Sequence, residues 1–66
     1  MNDTVEELES ELQEVMLNMD NLAEQVQKQE LDAYEGFMRS EKYKNRIVEL
    51  GYALKEKGID ITTRTE

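Results

Sequence analysis

From Val5 onward the chain sets an apolar side chain at alternating steps of four and three: Val5, Leu8, Leu12, Val15, Met19, Leu22 and Val26, without an exception. A repeat averaging 3.5 residues keeps one stripe of a helix turned toward a partner helix, so these residues predict a coiled-coil-like seam. A strand does not fit, because alternate residues are not consistently apolar. Thr4 followed by Glu7 has the form of a capping box just ahead of the first seam residue, which starts the helix at Thr4.

Counting on in the same frame gives Gln29, Ala33, Gly36 and Ser40, then Tyr43, Ile47, Leu50 and Leu54. The frame survives four weak positions, and a loop would preserve it by chance about once in seven. That favours one long helix, about 80 Å from Thr4 to Lys57 at 1.5 Å per residue. Gly36 opposes it, since glycine can end a helix, with Ser40 as the next N-cap and Phe37 folding back onto the first helix. Gln27 to Glu35, by contrast, are good helix formers without turn dipeptides, which speaks against a break there. The expected fold class is therefore all-α: a coiled-coil-like long helix or a two-helix hairpin with antiparallel self-association. One domain spans 1–66, helical over 4–57 with a possible break at 36–40. Gly58 ends the pattern, Lys55 and Lys57 suit the negative end of the helix dipole, and Ile59 can fold back on Leu54 in a Schellman arrangement. Residues 58–66 read as a flexible or partner-ordered tail.

Charge orients the helices. Residues 1–35 carry 11 acidic and 1 basic side chains, whereas residues 36–66 carry 5 acidic and 7 basic. Parallel association would stack acid on acid; antiparallel association sets Glu9 and Glu11 beside Arg39, Lys44 and Arg46. Each exposed pair contributes only ~0.2–1 kcal/mol, so these charges choose orientation more than they supply stability. In a hairpin bent near Gly36, Leu22 and Val26 would face Leu54 and Leu50. In a dimer of unbroken helices, Val5, Leu8 and Leu12 would face Leu50, Ile47 and Tyr43 of the other chain. A lone hairpin of this length buries one face and is marginal, so self-association or a partner is expected.

Leu31, Tyr34, Met38, Val48 and Tyr52 form a second apolar stripe off the seam, with Phe37 between the two and Met16 and Leu17 earlier in the chain. Two stripes fit either a bundle of more than two helices or a docking surface for another protein. Aromatic and Met side chains suit docking because they give large, adaptable contact area.

Composition excludes much chemistry. The 66 residues include no Cys, His, Trp or Pro, and the formal net charge is −8. There is no thiol nucleophile, imidazole base or zinc finger, and no Gly-rich phosphate loop or nucleophile elbow. An enzyme, a metal site and a bound cofactor are not expected. No run reaches the roughly 18 apolar residues of a membrane span, and the acidic amino terminus is unlike a targeting signal, so a cytoplasmic protein is expected. The acidic balance argues against direct binding of nucleic acid or anionic lipid. Arg39, Lys42, Lys44 and Arg46, interleaved with Tyr34, Phe37 and Tyr43, could suggest single-strand nucleic-acid binding, but pairing with the acidic half explains them without a ligand.

The densest charge feature is Glu6, Glu7, Glu9, Glu11 and Glu14. Glu7, Glu11 and Glu14 share a helix face at ~5–6 Å spacing, similar in scale to the phosphate interval of a nucleic-acid strand. It can also be a solvated face that complements the helix amino terminus. The sequence points to a small acidic protein–protein interaction module, a regulator or inhibitor that blocks its target. That target has a basic surface and could itself bind nucleic acid, as with phage-type antagonists. Glu6, Glu7, Glu11 and Glu14 are the electrostatic contacts, and Leu31, Tyr34, Phe37, Met38 and Tyr52 the apolar ones. The alternative is a coiled-coil assembly element whose two stripes bury only its own copies.

Overall fold

The computed structural model describes residues 4–59, which form two helices, α1 (Val5–Gln27) and α2 (Ala33–Glu56), packed as an antiparallel hairpin. α1 begins as its sequence demands. The Thr4 hydroxyl accepts from the Glu7 N–H at 3.1 Å, and the Glu7 carboxylate accepts from the Thr4 N–H at 3.3 Å. Two otherwise orphaned donors are satisfied reciprocally.

The break falls at residues 28–32, and residues 36–40 lie inside α2, which corrects both the rod and the bend near Gly36. Lys28 caps α1 and Gln29 takes φ +61°, the left-handed region. The Gln29 N–H donates to the Val26 carbonyl at 3.0 Å and the Glu30 N–H to the Gln25 carbonyl at 2.9 Å, a full Schellman motif closed without glycine. Asp32 then caps α2, its carboxylate accepting from the Tyr34 N–H at 3.0 Å. The physical reason for this position is length. A bend at 36–40 would leave α1 far longer than α2 and strand its first seam residues in water. A turn centred on residue 30 gives helices of 23 and 24 residues, so every seam residue has an opposite. Ser40 is no N-cap; its hydroxyl donates within α2 to the Phe37 carbonyl at 2.8 Å.

The seam itself is where the repeat puts it. Leu8, Leu12, Val15 and Leu22 of α1 and Leu50 and Leu54 of α2 are buried, and Val5, Met19, Val26, Tyr43 and Ile47 are half-buried. Leu8, Leu12 and Val15 cluster with Leu50 and Leu54, and Val5, Tyr43, Ile47, Ala53 and Ile59 pack against them. The hairpin pairing of Leu22 and Val26 with Leu54 and Leu50 does not occur. The register expected of a second chain is not met either: Val26 lies against Gly36, and Leu8, Leu12 and Val15 cluster with Leu50 and Leu54 of the same chain. Near the turn Val26 meets Gly36, where a Cβ would come within 2.5 Å of the Val26 methyl. The missing side chain lets the helices approach closely there.

α2 ends as expected from Gly58. This residue takes φ +88°, its N–H donates to the Lys55 carbonyl at 2.9 Å, and the Ile59 N–H donates to the Leu54 carbonyl at 3.0 Å. Ile59 folds back onto the leucine cluster, the apolar contact that accompanies a Schellman cap. The rest of the tail, 60–66, lies outside the described residues.

Candidate interaction surfaces

α1 carries seven carboxylates and no basic side chain. Glu7, Glu11 and Glu14 share one open face with Ser10, as their helical spacing requires. They do not all have the same job. Glu7 closes the capping box. Glu11 is half-buried and reaches across to α2, where its two oxygens accept from Nε and Nη2 of Arg46 at 2.6 and 2.9 Å. Arg46 also donates to Glu49 at 3.0 Å. The hydrogen bonds from Glu11 and then Glu49 raise the Arg46 pKa above its ordinary value. Since that value is already far above neutrality, the guanidinium is charged at any working pH. For the guanidinium's part, the raised pKa gives a stabilisation that is full below the ordinary arginine range and is lost above it. This fork joins the acidic first helix to the more basic second one, in the antiparallel sense that charge segregation calls for. Glu6 and Glu14 are exposed to solvent, as are Asp20 and Glu24, the last bridged to Lys28 at 3.3 Å. The acidic outer face is therefore best represented by Glu6 and Glu14.

The apolar set divides similarly. Leu31 sits half-buried in the turn. Tyr34, Phe37, Met38 and Tyr52 are all exposed on α2, together with Val48. Tyr34, Met38, Val48 and Tyr52 lie on the back of α2, opposite its seam, because each is displaced by two residues, about 200° of helix, from a seam position. Phe37 stands on the flank and helps line a shallow groove near the turn with Met19, Leu22, Val26 and Gly36. Met16 and Leu17 are exposed on α1. Val48 belongs with the apolar set as much as Tyr52 does. The i, i+4 relation of Val48 to Tyr52 is the signal that places it there.

Basic side chains of α2 make mainly local pairs. Arg39 bonds Glu35 at 3.0 Å and Lys44 lies 3.6 Å from Glu41. No group of three or more His, Cys, Asp or Glu able to hold a metal occurs among the described residues. Among those residues, too, no helix is long and apolar enough to cross a membrane. Comparison with protein-family models, curated proteins and solved structures finds no match.

Proposed function

We propose that the chain is a protein–protein interaction module, which presents the acidic outer face of α1 to a basic surface of another protein and blocks or scaffolds it. What carries the proposal is the division of the surface. α1 carries seven carboxylates and no basic side chain, while its apolar seam is used up within the hairpin. Such a face raises the encounter rate with a basic partner and disfavours acidic ones.

The hairpin also narrows which carboxylates do this. Glu11 is committed to Arg46 and Glu7 to the helix cap, so reversing either would disturb the fold as well as the field. Glu6 and Glu14 are exposed and belong to neither the capping box nor the Arg46 clamp, so their reversal acts mainly on the field. The test is affinity capture by the full chain, followed by stopped-flow association with the recovered protein. Glu6→Lys/Glu14→Lys should slow association by about tenfold at low salt and flatten its salt dependence. An unchanged on-rate would remove acidic steering from the mechanism.

A further inference from the structure

α2 has two long faces. One is the seam that packs on α1. The other carries Tyr34, Met38, Glu41, Asn45, Val48 and Tyr52 at steps of four, three, four, three and four. Tyr34, Met38, Val48 and Tyr52 are 71, 46, 56 and 67% exposed, far more than the buried leucines of the seam. That spacing reads the same from either end of the helix. Reversed about its midpoint, level with Tyr43, the row superposes aromatic on aromatic and apolar on apolar.

We propose that a second copy of this chain docks antiparallel on the back of α2, related by a twofold axis level with Tyr43. A twofold interface must satisfy each contact twice, residue i on j and j on i. Here Tyr34 lies over Tyr52 of the second copy, Met38 over Val48, and Glu41 over Asn45. The central layer fixes the register, since the Asn45 amide can donate to the Glu41 carboxylate. A slip of one heptad would set Glu41 against Tyr52, and parallel pairing would set Glu41 against Glu41. On one flank Phe37 comes over Gly51 of the second copy, large against small. On the same flank the two Lys44 side chains come together, each beside Glu41 of its own chain at 3.6 Å, a rim contact in which the carboxylates offset the like charges. On the other flank the two Lys42 side chains meet, a rim contact that salt screens.

Area supports a second copy over an unoccupied face. A fully exposed aromatic side chain presents about 150–250 Å², so Phe37 and the four stripe residues together offer on the order of 500 Å² per copy. Two copies then bury about 1,000 Å², the lower bound for a specific association. The proposal does not rest on acidic steering by α1, which lies on the far side of the hairpin.

The test is sedimentation velocity of the full chain over a wide concentration range, with distances measured between nitroxides placed at Lys42 or, separately, at Glu56. The expected result is a concentration-dependent dimer in which the Lys42 labels are close and the Glu56 labels lie about 40 Å apart along the helix axis. Met38→Lys/Tyr52→Lys should weaken dimerisation by at least a hundredfold, since it sets a charge in every apolar layer. The labels stay informative even if that variant fails to fold. A chain that stays monomeric throughout, or a dimer with the Glu56 labels close together, would overturn the proposal.

Discussion

The two ends of the hairpin are built differently from the same repeat. At the open end, Leu8, Leu12, Leu50 and Leu54 interlock, Leu54 is wholly buried, and Ile59 folds over them. At the turn end, Leu22 is buried outside that cluster, Val26 rests on Gly36, and a shallow groove remains between the helices. The difference shows that a regular apolar repeat sets where helices touch, while side-chain size sets how much stability each contact supplies. One end is joined by volume and the other by proximity.

The largest effect expected from this contrast is at the open end. Leu54→Ala should cost about 2–5 kcal/mol, comparable with the 3–5 kcal/mol that a core in so short a chain supplies. Far-UV circular dichroism should then show no cooperative melt. Leu22→Ala should fall at about 2 kcal/mol, the bottom of the same range, because its site already opens onto the groove; an equal loss of Tm for both variants would erase the distinction. Gly36→Ala should destabilise by about 1–3 kcal/mol through the overlap with Val26. In a Val26→Ala background the same change should turn stabilising by up to ~1 kcal/mol, the helix-propensity gain of alanine over glycine. A denaturant series on the four proteins of that cycle reads the reversal directly. Gln29→Gly should raise stability by about 1 kcal/mol, since glycine takes the left-handed conformation without a Cβ penalty. The smallest effect belongs to the charge clamp. Glu11→Gln should lower Tm slightly, and less at high salt than at low, a dependence that the leucine variants should lack.

Much of this fold could be read from the chain. The seam, the capping box at Thr4 and the glycine cap at Gly58 each rest on local rules that the packing did not override. Segregated charge calls for Glu9 and Glu11 to stand beside Arg39, Lys44 and Arg46; Arg46 does reach Glu11, whereas Arg39 and Lys44 pair with Glu35 and Glu41 of their own helix. The turn was harder for two specific reasons. Gln29 holds a left-handed conformation that usually announces itself with glycine, and Gly36, which does look like a stop, serves close packing inside α2. One sign was present: Asp32 followed by Glu35 ahead of an apolar stretch is the pattern of a helix start. The candidate surfaces were only partly legible. Periodicity separates Tyr34, Met38 and Tyr52 from the seam, but it cannot tell that Glu7 and Glu11 have duties inside the hairpin.

The turn has a consequence for the shape of the chain. Because the repeat keeps its phase across residues 28–32, a straight helix and a folded-back pair would present the same row of leucines. The folded-back pair buries that row within one chain, whereas a straight helix could bury it only against a second one. What separates them is the backbone of five residues, where the left-handed Gln29 and the extended Asp32 together reverse the direction of travel and let the polypeptide meet itself.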